Sequence, residues 1–237
     1  MMITNKKDNY SDLNFVSGES ILIDKPLNWS SFKVIYELRK KAGIKKAGHA
    51  GTLDPKATGL LIICTGKKTK EITSFQDLTK TYTGTILLGK KTPSMDMETE
   101  VSEENPYDHI TKEMINKSAA ELTGAISQVP PMYSAIKLNG KTLYNLARKG
   151  KTVAREPREI NVYEFKITDY TLPEIHFKIS CSKGTYIRVL AHDLGDKLGC
   201  GAVLSSLRRT KIGEYHVDDA LNIEDFIQKV NAIPEVL

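Results

Sequence analysis

Between residues 175 and 181 apolar and polar side chains take strict turns: Ile175, Phe177, Ile179 and Cys181 alternate with His176, Lys178 and Ser180. Successive side chains of a strand point to opposite faces, so this pattern predicts a half-buried antiparallel strand with one face on a core. Such a strand needs a partner and a covering layer. Residues 160–167 supply the partner, and the alternation slips near Tyr163, which predicts a bulge. The apolar runs at 19–24, 60–64 and 81–88 predict further strands, with 60–64 fully buried. Helices are predicted from the N-cap candidates Ser30 and Ser31 to about Ala42, over 69–75, and from Thr111 to the stop at Gly124. Another follows from Tyr186, Leu190, Leu194 and Leu198, spaced every four residues and ended by Gly199. The sum is an α+β fold with a mixed, largely antiparallel sheet flanked by helices.

Other segments have no periodicity. Residues 45–56 are rich in Gly, Lys, Thr and Pro and predict a loop, the usual seat of site chemistry. Val129-Pro130-Pro131 cannot be helical, Asn139-Gly140 predicts a tight turn, and 141–149 a short basic helix ended by Gly150. Residues 124–156 therefore read as an insertion in a domain spanning 15–237, preceded by a polar N-terminal extension, 1–14. Charge is unevenly spread. Residues 137–158 hold Lys137, Lys141, Arg148, Lys149, Lys151, Arg155 and Arg158 against Glu156 alone, whereas 95–121 are dominated by Asp and Glu. That asymmetry suggests one face prepared for a polyanion and another kept away from it.

Several classes are excluded. Cys64, Cys181 and Cys200 are widely separated and form no C-x-x-C pair, which predicts reduced core thiols and neither a disulfide framework nor a zinc site. The N-terminus carries no apolar signal region and no apolar run is long enough to span a bilayer, so a cytoplasmic chain without membrane contact is expected. Gly66-Lys67-Lys68-Thr69 lacks the spacing of a phosphate loop, and no nucleophile elbow, zinc-protease or dinucleotide motif occurs.

What remains is the loop Gly48-His49-Ala50-Gly51-Thr52-Leu53-Asp54-Pro55-Lys56-Ala57-Thr58-Gly59. Asp-Pro alone is ordinary turn composition. The whole string resembles the signature loop of the bacterial TruB family of tRNA pseudouridine synthases. Four further motifs follow the family's order: Leu22-Ile23-Asp24-Lys25-Pro26, Lys80-Thr81-Tyr82, Pro131-Met132-Tyr133-Ser134-Ala135-Ile136-Lys137, and Cys181-Ser182-Lys183-Gly184-Thr185-Tyr186-Ile187-Arg188. Leu207-Arg208-Arg209 completes the set. The resemblance covers roughly residues 18–213.

The resemblance implies a pseudouridine synthase fold with a basic RNA-gripping insertion. It implies that the chain converts the T-loop uridine of tRNA, position 55, to pseudouridine. Asp54 would be the nucleophile, at C6 of the base or C1′ of the ribose. Tyr82 would stack on the flipped base and help to remove the C5 proton, and Arg188 would pair with Asp54. His49 and Lys70 match positions near the displaced nucleotides and the catalytic loop. Tyr186, Lys137, Arg148, Lys149, Lys151 and Arg155 join them as candidate RNA-binding residues, because cations interleaved with flat side chains suit an unpaired strand. Moving uracil from an N1 to a C5 attachment is redox-neutral, so no cofactor and no metal is expected. The expected partner is the T-arm stem-loop of tRNA, with no obligate protein partner and a monomeric state. Many family members continue into a small C-terminal RNA-binding (PUA-like) domain, which a chain ending at Leu237 is expected to lack.

Overall fold

The computed structural model describes residues 2–138 and 140–232. The chain opens with β1 (Met2–Ile3), β2 (Ser20–Lys25), α1 (Ser31–Lys41), β3 (Ala47–His49), β4 (Ala57–Thr65), α2 (Ile72–Asp77) and β5 (Lys80–Leu88). It continues through β6 (Lys90–Lys91), β7 (Glu103–Glu104), α3 (Lys112–Glu121), β8 (Gly124–Gln128), β9 (Lys137–Leu138), β10 (Lys141–Thr142) and α4 (Leu143–Ala147). Next come β11 (Arg158–Thr171), β12 (Glu174–Cys181) and α5 (Ile187–Leu198), followed by β13 (Ala202–Ile212), β14 (Tyr215–His216), β15 (Leu221–Asn222) and α6 (Ile223–Asn231). These elements divide into two compact units, Met1–Tyr82 with Leu207–Leu237, and Thr83–Ser206. The division falls within β5 and β13, so each of those strands has residues in both units.

In the first unit β2 and β4 pair antiparallel, with Ile21 opposite Ile63 and Ile23 opposite Leu61. β1 and β15 run parallel to β2, and Leu207 to Arg209 of β13 run parallel to Ala57 to Gly59 of β4. Both faces of this sheet are covered, which is why β4 reads as a continuous apolar run. Ile21, Ile23, Leu61 and Ile63 pack with Val34, Ile35 and Leu38 of α1 and Phe226 of α6. Leu22, Leu60, Ile62 and Cys64 pack on the other side with Ala50, Ile212 and Val217. Each such Leu or Ile contributes roughly 1.5–3 kcal/mol of burial. α1 starts where its caps dictate: Ser30 Oγ accepts from the Lys33 N–H at 3.0 Å. Arg39, Lys40 and Lys41 close it, favourably placed for the helix dipole.

In the second unit β11 pairs antiparallel with both β12 and β8. The register shifts between Val162 and Glu164, the bulge that the slip at Tyr163 predicted, and again between Ile167 and Asp169. Phe165 and Phe177 meet edge to face, 6.2 Å between centroids. Gly199 ends α5 in the left-handed conformation, at φ 77°. The fold is thus a mixed sheet with flanking helices, as expected.

Several expectations need correction in detail. Residues 47–49 are a strand rather than loop, because their backbone pairs antiparallel with β4 although their side chains show no pattern. The helix expected over 69–75 is a 3₁₀ turn, Gly66–Glu71, followed by α2. Lys141–Thr142 is not helical but pairs with Lys137–Leu138. Gly124–Gln128, expected to open the insertion, pairs with β11. The predicted turn at Asn139-Gly140 has its first residue outside the described ones. Met2–Ile3 is tied into the sheet beside β2, with Ile3 fully buried. The three cysteines are buried and unbridged. Among the described residues no helix is long and apolar enough to cross a membrane.

Candidate active site

The loop that carries Asp54 is held from four directions within the first unit. Ser31, at the start of α1, accepts from the Leu53 N–H at 2.9 Å and donates its own hydroxyl to the Leu53 carbonyl at 3.1 Å. On the other flank the Asn28 N–H donates to the Pro55 carbonyl at 2.8 Å, and the Ala57 N–H closes a turn onto the Asp54 carbonyl at 3.0 Å. Arg209, 1% exposed, donates to the Gly51 carbonyl at 3.1 Å and to the Leu60 carbonyl at 2.7 Å. The backbone of Gly59 has φ 103°, and a Cβ there would stand 2.3 Å from the Arg209 carbonyl oxygen. Only glycine fits where β4 and β13 approach this closely. Asp54 is therefore carried on a fixed loop and is itself half-buried.

Positive charge lies behind this loop. Lys25 is fully buried, its ammonium donating to the carbonyls of Trp29 at 2.6 Å and Pro26 at 3.0 Å. Burial pushes its pKa down to about 8, helped by Arg209 and opposed by the attraction of Asp54 and Asp24. Lys25 and Asp54 thus attract each other behind the loop. His49, at the end of β3, is held below its ordinary pKa by burial and then by Arg209, and its Nδ1 is buried without a hydrogen-bond partner among the described residues. Arg208 grips Asp24 with two bonds, at 2.6 and 3.0 Å. Tyr82 is buried on β5, beside Thr81, whose carbonyl accepts from Thr210 of β13 at 3.3 Å. Lys70 is exposed on the 3₁₀ turn.

The second unit brings Arg188 and Tyr186 together at the start of α5, the guanidinium 5.8 Å from the ring centroid. Gln128 of β8 brackets the Tyr186 backbone, accepting from its N–H at 2.8 Å and donating to its carbonyl at 3.2 Å. Arg188 is 3% exposed; it meets Asp96 Oδ2 at 3.2 Å and donates to the Tyr133 carbonyl. Asp96 is itself fixed, accepting at Oδ1 from the Glu98 N–H and at its carbonyl from Thr92 and Ser94. Sequence reasoning singled out neither Asp96 nor Gln128, and it gave Lys25 no role.

The acidic stretch is not simply a repelling face. Besides Asp96, Glu98 accepts from the Tyr144 hydroxyl at 2.5 Å, which raises the pKa of that phenol, and Glu104 and Glu121 pair with Lys90 and Lys197. These four carboxylates are spent on cations and a hydroxyl of the same unit. In the basic segment Lys137, Arg148, Lys149 and Lys151 are exposed. Arg155 instead is half-buried and donates to the backbone carbonyls of Pro130 at 3.0 Å and Val153 at 3.1 Å. Among the described residues no cluster of three His, Cys, Asp or Glu side chains is placed to hold a metal ion.

Comparison with known proteins places the chain among the pseudouridine synthases. The family model described as the N-terminal domain of TruB family pseudouridylate synthase matches residues 39–187, and that of the tRNA pseudouridylate synthase B C-terminal domain matches 188–235. The tRNA pseudouridine synthase B of Flavobacterium johnsoniae is 48% identical over 219 residues, 90% of this chain and 96% of that protein. The same enzyme of Phocaeicola vulgatus is 46% identical over 220 residues, 90% and 94% of the two chains. The chain belongs to the TruB family of pseudouridylate synthases. Among solved structures, a chain of a Cbf5-Nop10-Gar1 complex is 26% identical with a TM-score of 0.70 over 95% of this chain, which spans 58% of that one. One of an H/ACA RNP bound to a substrate RNA containing 2′-deoxyuridine is 24% identical with a TM-score of 0.68, over 93% and 57%. The segment matched by the C-terminal model forms no unit of its own: it gives α5 to the second unit and α6 to the first.

Proposed function

We propose that this chain isomerises the T-loop uridine of tRNA, position 55, to pseudouridine, with Asp54 as the nucleophile. The observation that carries the reading is the loop of Asp54, fixed by Ser31, Asn28 and Arg209 while Asp54 itself stays only half-buried. Attack at C6 or C1′ releases the base from its N1–C1′ bond. The base then turns, C5 bonds to C1′, the Asp54 bond to C1′ or C6 breaks and returns its electron pair to the carboxylate, the C5 proton leaves and N1 gains one, so atoms and electrons balance without an oxidant. Tyr82 stacks on the everted base and assists loss of the C5 proton. Arg188 acts as the charge partner of Asp54, and its own hold on Asp96 supports that role by fixing the guanidinium. Extrusion of the base costs about a few kcal/mol, which RNA contacts offset. His49, Lys70 and Tyr186, with the exposed Lys137, Arg148, Lys149 and Lys151, are assigned to those contacts. Arg155 is assigned to shaping the insertion as well. The relatives' names support tRNA as substrate, and the enzyme acts in the cytoplasm as a monomer.

The test is to incubate the protein with unmodified tRNA transcript, without added metal or nucleotide, and to map pseudouridine. Product at position 55 that vanishes in Asp54→Ala is the expected result. Product elsewhere, or undiminished product in the variant, refutes the assignment.

A further inference from the structure

Helix α1 starts against the Asp54 loop, since Ser31 of its first turn holds Leu53 and Asn28 just before it holds Pro55. Its inner face is spent on the core through Val34, Ile35 and Leu38. The outer face is unusual. Phe32 is 70% exposed and Tyr36, one turn on, 50% exposed, and positions four apart lie on one side of a helix. They open onto a groove of about 540 Å³, with Arg39, Lys40 and Lys45 on its walls and Ile44 in its floor.

The charge around these rings is one-sided. From residue 31 to 46 the exposed cations are Lys33, Arg39, Lys40, Lys41, Lys45 and Lys46. The lone acid, Glu37, is already paired with Lys41 at 2.9 Å. Lys33 sits 4.2 Å from the Trp29 ring centroid and Lys40 5.7 Å from that of Tyr36. Exposed rings with unpaired cations at their edges are matched to an unpaired polynucleotide strand, whose bases stack and whose phosphates carry the opposing charge. The helix is about 16 Å long, and the strand it suits is one that leaves the catalytic loop in its direction.

We propose that the outer face of α1 is a binding site for unpaired nucleotides of the substrate RNA that flank the reacting one. Phe32 and Tyr36 stack on bases, and Arg39, Lys40 and Lys45 contact phosphates. The proposal rests on the functional reading above for the identity of the RNA.

The test uses Phe32→Ala/Tyr36→Ala and, separately, Arg39→Gln/Lys40→Gln/Lys45→Gln, with circular dichroism to verify folding. Affinity is measured for unmodified tRNA transcript, a short oligouridylate and a blunt RNA duplex. The ring variant should weaken tRNA and oligouridylate binding about tenfold or more and leave the duplex unaffected. The charge variant should lower the slope of log affinity against log salt by about 2. Affinities within twofold of wild type for tRNA and oligouridylate overturn the proposal, as does an equal loss for duplex, which has no free bases to stack. It is likewise overturned if the wild type sediments as a dimer that the ring variant dissociates, which would make the occupant a second copy. The two readings separate cleanly. Pseudouridine formed with unaltered affinity in both variants sinks the α1 site alone, whereas binding through α1 without any pseudouridine sinks the function alone.

Discussion

Arg188 is held where it is by a residue 92 positions earlier, and the role proposed for it makes the expected consequence kinetic. Asp96 both orients the guanidinium and balances a buried charge, so Asp96→Asn should lower the single-turnover rate at saturating tRNA by about tenfold or more while tRNA affinity stays within about threefold. A variant that loses affinity but keeps its rate would remove Arg188 from the chemistry. His49 supplies a pH test. Its folded pKa lies below the ordinary 6.5, so the folded state prefers the neutral ring and the unfolded chain binds more protons in the window just below 6.5. Stability contributed by this group is full above that value and is lost as pH falls toward the folded pKa. Urea midpoints measured from pH 7 to 5 should therefore fall less steeply in His49→Gln than in wild type, and parallel curves would refute the assignment. At this scale the sequence was legible only where a motif was complete. Asp54 stood out through eleven neighbours, whereas Asp96 lay unmarked in an acidic run, and its use depends on contacts that no local pattern encodes.

Elements whose side chains alternate or recur were legible, down to the bulge at Tyr163. β3 was not, because its pairing uses only backbone groups, and Gly48 and His49 present no pattern. β13 was missed for a different reason: its Arg208 and Arg209 look like surface residues, yet Arg209 is buried to serve the carbonyls of Gly51 and Leu60. The β4–β13 contact yields a sharp expectation. Gly59→Ala combines a strained φ with a clash against the Arg209 carbonyl, and should cost about 3 kcal/mol, read as a fall in the urea midpoint. A loss below about 1 kcal/mol would show that the two strands can part. In the basic segment, Lys149→Gln/Lys151→Gln should flatten the salt dependence of tRNA affinity by about 1 to 2 in slope. An unchanged slope would take both lysines off the contact surface. Arg155→Ala should behave differently, because the guanidinium satisfies the backbone carbonyls of Pro130 and Val153.

On the scale of the whole molecule, the end of the chain completes its beginning. α6 and β15 belong to the unit of residues 1–82, with Phe226 fully buried among Ile21, Ile23, Val34, Leu38 and Leu61. Tyr10 and Phe15 pack on the Phe226 ring at 6.1 and 6.3 Å between centroids. Nothing in the sequence announces this, because hydrophobic periodicity reports that a face is buried and not what buries it. The consequence can be measured. Phe226→Ala removes a large side chain from a core with little room to collapse and should cost about 3–5 kcal/mol. Because cooperative units open together, amide exchange should accelerate not only in α6 but also in β2 and α1, some two hundred residues earlier. The Asp54 loop, tied to α1 through Ser31, should open with them. Faster exchange confined to residues 221–232 would show that the C-terminal helix is an appendage and that the Asp54 loop draws its rigidity from the N-terminal segment alone.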